Sequence, residues 1–222
     1  SLQGIDEDAE LIPLMTPEDE EEINRENLPE TLPILPLRNT VLFPGVVIPI
    51  TAGRDASIKL INEANNGSKT IGVVSQKDEE VENPTSKDIN KVGVVARILR
   101  VLKMPDGNTT VIIQGKKRFQ ITEVVTEQPY MNATITEVPD NRPEKDNAEF
   151  SAIIDSIKDL ALQIIKSSPN IPSEASFAIK NIESNSFLIN FVSSNMNLSV
   201  EEKQKLLEMN DLKERALSTL KH

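Results

Sequence analysis

Gly115-Lys116-Lys117 is the segment closest to a site for chemistry, because a glycine followed by a lysine is typical of phosphate-binding loops. Such a loop needs a second glycine at a fixed distance before this pair and a Ser or Thr after it, at the start of a helix. Here the preceding glycine is Gly107, too far back, and the segment continues as a strand. Serines and lysines are numerous, but nothing around them would activate a hydroxyl or an amine. The sequence therefore predicts no catalytic residue and no nucleotide site.

Metal and thiol chemistry is limited by the composition. The chain has no cysteine, and its one histidine is His222, the last residue. Thiolate metal sites, disulfides, Cys nucleophiles and His-based triads are therefore excluded. Carboxylate pairs such as Asp78-Glu79 and Glu201-Glu202 fall in a loop or in a first helical turn, where they are solvated or favour the helix dipole. We expect no metal or cofactor in this chain, and the lack of cysteine is compatible with a reducing, cytoplasmic compartment.

The negative charge is concentrated at the N-terminus. Residues 1–30 hold eleven acidic residues and one basic residue, and so account for −10 of the net charge of −11. Residues 18–22 are all Glu or Asp, and such like-charge blocks stay solvated. We predict that residues 1–30 are a disordered, solubilising tail. The alternative is a short segment that docks on its own domain or on a neighbour through an apolar cluster, Leu11, Ile12, Leu14 and Met15.

Nucleic acid and membrane are two classes of partner that the sequence does not favour. A basic strip in and beside a predicted hairpin would comprise Arg97, Arg100, Lys103, Lys116, Lys117 and Arg118. However, only 3% of residues are aromatic, with no Trp and one Tyr, so side chains that could stack on bases are scarce. No apolar run approaches the roughly 18 residues that suggest a membrane span.

Residues 31–139 have the pattern of a β-rich domain with one helix. Within residues 32–54, short Leu, Ile and Val runs bounded by proline and glycine are typical of short buried strands. Residues 104–108 have turn composition between two strand-like segments, which predicts a hairpin. Counting all such segments, we predict six or seven strands in a small closed or partly closed barrel. The strand and helix ranges expected here are Thr70–Val74, Val92–Leu102, Thr109–Gln114, Arg118–Thr126, Tyr130–Val138 and the helix Arg54–Asn66.

Residues 140–222 have the pattern of packed helices. Regular apolar spacing from Phe150 to Ile165 predicts a long helix that reaches about Lys166. Shorter helices are predicted over Ser173–Ile182 and Phe187–Val192, and Ser199 begins a capping box. A second start signal at Asp211 predicts that the last stretch bends or restarts near Asn210. Because residues 212–220 are still periodic where the sequence stops, we expect the beginning of a long helix that is cut short. The expected fold class is α+β.

Several of these segments also resemble a known family. In order and spacing, they are similar to the opening of the N-terminal domain of the ATP-dependent Lon proteases: Leu35–Arg38, Phe43–Gly45, Val47–Pro49 and Gly53-Arg54. Leu-Lys-Met-Pro-Asp-Gly at residues 102–107 resembles that family's Leu-Lys-Leu-Pro-Asp-Gly hairpin. The resemblance covers about residues 31–222 and implies a Lon-type β domain, similar to the pseudouridine-synthase-associated (PUA) barrel, followed by an α-helical bundle subdomain.

The same resemblance implies a function. It is that of the non-catalytic N-terminal region of a bacterial ATP-dependent serine protease. This region would recognise and tether unfolded, damaged or degron-bearing proteins and aid assembly of a hexamer. ATP and magnesium would act elsewhere in the parent protein. The alternative is a stand-alone Lon-like or PUA-like binding module, with a protein or, less favoured, an RNA ligand.

Apolar loop residues are the candidates for binding. Val41, Leu42, Phe43 and Pro44 lie in a connection bounded by Pro and Gly, and Met104 and Pro105 lie at the hairpin turn. They either plug the ends of the barrel or form a shallow patch for exposed apolar segments of other chains. On the solvent side of the first helix, Arg54, Asp55 and Lys59 would provide a polar rim for that patch.

Overall fold

A computed structural model describes residues 15–169 and 174–222, and these form two compact units. One unit is Asn27–Val138, and the other combines the described part of Ser1–Glu26 with Pro139–His222. In chain order the elements are α1 (Pro17–Arg25), β1 (Thr31–Leu37), β2 (Val47–Ala52), α2 (Asp55–Asn65), β3 (Thr70–Ser75), β4 (Val92–Lys103), β5 (Thr109–Thr126), β6 (Asn132–Glu137), α3 (Ala148–Ser167), α4 (Glu174–Lys180), α5 (Asn185–Asn195), α6 (Val200–Glu208) and α7 (Leu212–Leu220). The fold is therefore α+β, as predicted.

The unit Asn27–Val138 is built on one mixed, six-stranded sheet in the order β2-β5-β4-β3-β1-β6. Strand β6 pairs with β1 and also with β5. Five strands, β1, β3, β4, β5 and β6, therefore form a closed ring of pairings, while β2 pairs with β5 outside that ring. Only β1 and β3 run parallel, because the chain between them crosses over through β2 and α2.

Strand β5 pairs with three strands, and its length allows it to pair with β2 and β6 in succession as well as with β4. Its first part pairs with β2, from Thr109 to Gln114, and its later part pairs with β6. Register shifts between β4 and β5, at Val94/Ala96 and Ile98/Arg100, bend the two strands, as bulges do. The interior of the unit is apolar, and its fully buried side chains include Ile34, Ile71, Ile98, Ile113 and Phe119.

Most predicted elements of this unit are confirmed with small shifts of boundary, but the two strands predicted over Thr109–Gln114 and Arg118–Thr126 form one continuous strand, β5. The hairpin joins β4 to β5 through residues 104–108, and the helix predicted over Arg54–Asn66 is α2. Arg54 is the N-cap residue of α2 and Asn66 its C-cap. The strands number six, which is the lower of the two expected counts.

The second unit has a helical core to which α3 contributes one face, including Phe150, Ile157 and Ile165. Side chains of Asn147, Ser184, Ser199 and Asp211 accept hydrogen bonds at helix N-termini, and Ser199 forms the predicted capping box with Glu202. The chain leaves helical geometry between α6 and α7, which confirms the predicted restart near Asn210.

The predicted disordered tail is wrong for residues 17–25, which form α1. Pro17 occupies the first turn, and Thr16 and Asp19 form a capping box. Ile23 is buried, and Met15 packs against the helical core of the same unit. Glu20 Oε2 lies 3.6 Å from Arg142 Nη1, and the Glu20 carboxylate accepts a hydrogen bond from the Ser184 hydroxyl. The acidic side chains of the first turn favour the helix dipole, which offsets their mutual repulsion. Residues 1–14, with Leu11, Ile12 and Leu14 of the apolar cluster, lie outside the described residues.

Candidate functional site

The connection between β1 and β2 is buried, not exposed as the patch prediction required. Relative exposure is 3% for Val41, 3% for Leu42 and 0% for Phe43. The connection lies against β5, because the Gly45 N–H donates to Gly115 O at 2.9 Å and the Gly115 N–H donates to Val46 O at 2.9 Å. These three residues are therefore core residues, and their assignment to a binding surface is wrong. Pro44 is half-buried.

The hairpin turn, by contrast, is exposed. Met104 is 43% exposed, and Pro105 is also exposed. The turn is held by hydrogen bonds from Met104 N–H to Asn108 O (2.9 Å) and from Gly107 N–H to Met104 O (3.1 Å). Gly107 has φ +90°, a value that favours glycine. Both candidates at this turn therefore remain available to a partner.

Sequence reasoning missed one exposed apolar residue of the same hairpin. Leu99 on β4 is 44% exposed and falls at the register shift between Ile98 and Arg100. Leu102, three residues later on β4, is half-buried. The sequence did contain a signal for this exposure. Neighbouring strand residues point to opposite faces, so when Ile98 is buried the adjacent Leu99 is expected to face solvent. We call Leu99, Leu102, Met104 and Pro105 the hairpin patch.

The structure brings the hairpin turn beside the start of α2. A Cβ on Gly53 would lie 2.9 Å from Oδ1 of Asn108, so residue 53 and the turn are in close contact. Asp55 and Lys59 are exposed on α2, as the predicted polar rim required, and Lys59 lies 3.9 Å from Glu63. Arg54 and Asp55 directly follow Gly53, the residue that contacts the hairpin turn.

Arg54 itself is an anchor, not a solvent-facing rim residue. Its Nη1 donates to Glu82 O at 2.8 Å, and its Nη2 donates to Gln76 Oε1 at 3.2 Å. Gln76 is buried and in turn donates to Asp78 O and Val81 O. Partial burial and, after it, the Arg38 cation lower the pKa of Arg54 below its ordinary value. Arg54 thus holds the loop that follows β3, and its assignment to the solvent side is wrong.

A groove of about 690 Å³ lies between the end of β1 and the strand β2. Its lining comprises residues 35–40, residues 48–54 and Ser57, and we call it the edge groove. Ile48 and Ile50 are half-buried in it. Its charged lining residues are Arg38 and Arg54, and none of the lining residues is acidic. The sequence contained no direct signal for this groove, because it depends on which strands pair.

A second, smaller cavity of about 260 Å³ lies on the other side of Arg54. Its lining includes Pro36, Pro84 and Tyr130. The Tyr130 hydroxyl donates a hydrogen bond to the Glu63 carboxylate, and this bond, followed by burial and the Glu63 charge, raises the pKa of Tyr130. Such an arrangement holds the β5–β6 connection against α2.

The basic strip considered for nucleic acid is interrupted. Lys117 is 6% exposed and forms an ion pair with Glu137 at 3.1 Å, and Arg118 is 2% exposed. Two of its six side chains are therefore turned away from solvent. Residues 15–169 and 174–222 include no helix long and apolar enough to cross a membrane. The same residues contain no group of three or more His, Cys, Asp or Glu side chains that could hold a metal.

Comparison with known proteins gives three consistent findings. The family model described as the ATP-dependent protease La (LON) substrate-binding domain matches residues 31–222. A Lon protease of Flavobacterium johnsoniae is 73% identical over 222 residues, which is 100% of this chain and 27% of that protein. A Lon protease of Cytophaga hutchinsonii is 51% identical over 210 residues, covering 95% of this chain and 26% of that protein. The chain thus spans about a quarter of the length of these relatives.

The fold is also similar to a solved structure. The N-terminal domain of a Mycobacterium avium complex Lon protease superposes with a TM-score of 0.68 at 24% identity. The match covers 86% of this chain and 96% of that one. At this identity the likeness concerns the fold.

Proposed function

Since the chain belongs to the ATP-dependent protease La (LON) substrate-binding domain family, we propose that it captures unfolded, damaged or degron-bearing proteins for proteolysis. The observation that supports this proposal is the hairpin patch, whose Leu99 and Met104 are 44% and 43% exposed. Unfolded chains display apolar segments that folded proteins hide, so an exposed apolar patch selects them without a sequence code.

The rest of the parent protein would supply the chemistry. We assign this chain no catalytic role, and we place ATP, magnesium and serine-protease activity in the remainder of an ATP-dependent serine endopeptidase that acts in the cytoplasm. The closed ring of strands would be a PUA-like barrel, and the helical unit a bundle subdomain that aids assembly. In a hexamer, six weak patches would act together, because tethering raises the effective concentration of each.

A binding experiment with an unfolded client tests the proposal. A reduced and alkylated protein that cannot refold is titrated against the chain, with and without added salt. Burying the roughly 80 Å² left exposed by each of two apolar side chains, at about 25 cal/mol per Å², contributes up to about 2 kcal/mol each. We expect Leu99→Ser with Met104→Ser to weaken binding about tenfold or more, and salt to have little effect.

The matched control is Val125→Ser. Val125 is 54% exposed on β5 but lies outside the hairpin patch, so its replacement removes about as much apolar surface as Met104→Ser alone. Equal losses for Val125→Ser and for Met104→Ser alone would show nonspecific apolar adhesion. Binding that falls steeply with salt would indicate recognition of charge and would contradict the proposal.

A further inference from the structure

Strand β2 has a free edge. It is the terminal strand in the sheet order, and among residues 15–169 and 174–222 its pairing partner is β5 alone. A strand at the end of a sheet presents unpaired N–H and C=O groups, which another extended chain can use. This edge is six residues long, which corresponds to about 20 Å at roughly 3.3 Å per residue.

The register shows which main-chain groups point away from β5. The Gly115 N–H donates to Val46 O, and the pairing continues without a shift from Val47↔Gln114 to Ala52↔Thr109. Because antiparallel bonding alternates along a strand, residues 48, 50 and 52 bond to β5 and residues 47, 49 and 51 point to the free edge. Pro49 agrees with this assignment, since proline has no N–H and is tolerated where a strand faces away from its neighbour.

The edge groove runs along this free edge. Five consecutive residues of β2, Ile48–Ala52, line it, whereas a groove over one face would be lined by alternate residues. The opposite wall is Leu35–Leu37 of β1, which pairs with β3 on its other side. Strand β6 pairs with β1 only at Thr31–Pro33 and so does not cover these residues. The groove therefore lies between two strand edges, of which the β1 edge is partly occupied, because Arg54 Nη2 donates to Pro36 O at 3.5 Å.

The groove is basic, although the part of the chain that contains it is nearly neutral. Residues 1–30 account for −10 of the net charge of −11, which leaves −1 for residues 31–222, yet the groove contains Arg38 and Arg54 and no acidic residue. Arg54 is occupied by the carbonyl of Glu82 and the amide of Gln76. Arg38 is exposed, and in the described ranges it has no ion-pair partner. One end of the groove thus offers an available cation beside apolar side chains.

We propose that the edge groove binds an extended apolar segment of an unfolded polypeptide as an added β-strand, with an acidic group of that segment beside Arg38. This inference rests on the proposed function and names how part of the client is held. Main-chain hydrogen bonds to residues 47–51 provide affinity without a sequence code, and half-buried Ile48 and Ile50 favour apolar side chains. Pro49 also blunts the edge against indiscriminate pairing, but it removes only one donor and leaves the N–H groups of Val47 and Thr51.

Backbone-methylated peptides test the added strand. The parent probe is a six-residue peptide of alternating Val and Thr with a C-terminal carboxylate. Two derivatives carry N-methyl groups on the odd or on the even amides, so each retains the side chains and loses one set of donors. We expect at least one derivative to bind the chain more than tenfold more weakly than the parent. If both derivatives bind as the parent does, strand addition is overturned.

Two readouts locate the peptide. The amide protons of Val47 and Thr51 are expected to shift and to become protected from exchange, whereas those of Val125 and Thr126 serve as a distant control. Arg38→Gln is expected to weaken the carboxylate peptide about fivefold and to leave its C-terminal amide analogue unchanged, with recovery in Arg38→Lys. Equal effects on the two peptides would overturn the role of Arg38.

Other outcomes separate this inference from the proposed function. If the unfolded client binds through the hairpin patch while the peptides leave Val47 and Thr51 unperturbed, the inference fails and the proposed function stands. If the client does not bind at all, the proposed function fails. Concentration-dependent self-association through the same amides would assign the groove to a second copy and would overturn the proposal. Protection of these amides in the free chain that is lost on deleting residues 1–14 would assign the groove to the chain itself and would also overturn it.

Discussion

Asp140→Ala is expected to unfold the helical unit at markedly lower denaturant concentration, because Asp140 is the anionic partner of the buried Arg215. The Arg215 side chain is 0% exposed, and its Nη2 lies 3.0 Å from Asp140 Oδ1. The guanidinium also donates to Leu206 O, Asn190 Oδ1 and Met209 O. Without Asp140, a buried cation would keep these neutral acceptors but lose its counter-charge.

The expected magnitude follows from burial. Removing one partner of a buried ion pair costs roughly 3–5 kcal/mol, since it leaves a desolvated charge without compensation. Asp140 is 17% exposed, so water partly replaces it, and the other acceptors remain. We therefore expect a loss near the lower end, about 3 kcal/mol.

Urea unfolding followed by far-ultraviolet circular dichroism measures this loss, since six of the seven described helices lie in the unit that contains Asp140. At a slope of about 1–3 kcal/mol/M, the midpoint should fall by about 1–3 M. Fluorescence of Tyr130, the only tyrosine, reports the other unit separately.

Glu149→Ala is the matched control for this measurement. The Glu149–Lys213 ion pair is shorter, at 2.7 Å, but its side chains are 67% and 28% exposed. Exposed pairs contribute about 0–1 kcal/mol, so the midpoint should hardly move. Equal losses for the two variants, or a loss below about 1 kcal/mol for Asp140→Ala, would refute the argument from burial.

Three further predictions concern the β unit. Phe43→Ala should lower the free energy of unfolding by about 3–5 kcal/mol, because the ring is fully buried. Unchanged stability in urea unfolding would contradict the burial of Phe43. Gly115→Ala would place a Cβ 2.4 Å from Phe43 O and should cost about 1–3 kcal/mol, measured as a lower Tm, whereas Gly67→Ala, whose nearest atom is at 3.4 Å, should be tolerated. Tyr130 should ionise above its ordinary pKa of 10.0, mainly through its hydrogen bond to Glu63. The associated stability is therefore fully present below pH 10.0 and is lost as pH rises through the raised value. In a near-ultraviolet titration, Glu63→Gln should lower the pKa of Tyr130, and an unchanged pKa would contradict the hydrogen bond to Glu63 as the cause.

The hairpin shows why some of the site could be predicted from the sequence. Turn residues and strand periodicity act over a few positions, so residues 104–108 indicate both the turn and its exposed tip. Helix caps are equally local, which is why Ser199 and Asp211 mark the two last helices correctly.

The connection between β1 and β2 shows why the rest could not. Apolar residues in a Pro/Gly-bounded segment are consistent with a surface patch or with a buried plug. The choice depends on Gly115, more than sixty residues away in sequence, whose missing side chain allows Phe43 O to approach the strand. Long-range contacts of this kind leave no mark on local composition.

The N-terminal segment illustrates the same limit for charge. An acidic block predicts repulsion and disorder, yet Thr16 caps a helix there and Glu20 has Arg142 and Ser184 as partners. Those partners lie more than a hundred residues further along the chain.

By itself, the sequence determined the fold class, the order of most helices and strands and the family resemblance, because these depend on residue type and short spacing. Only the tertiary structure decided which apolar residues are exposed, that Arg54 is an anchor and that β2 keeps a free edge beside a groove. Exposure and strand pairing are properties of the whole packed unit, since each depends on which distant segments fill the neighbouring space.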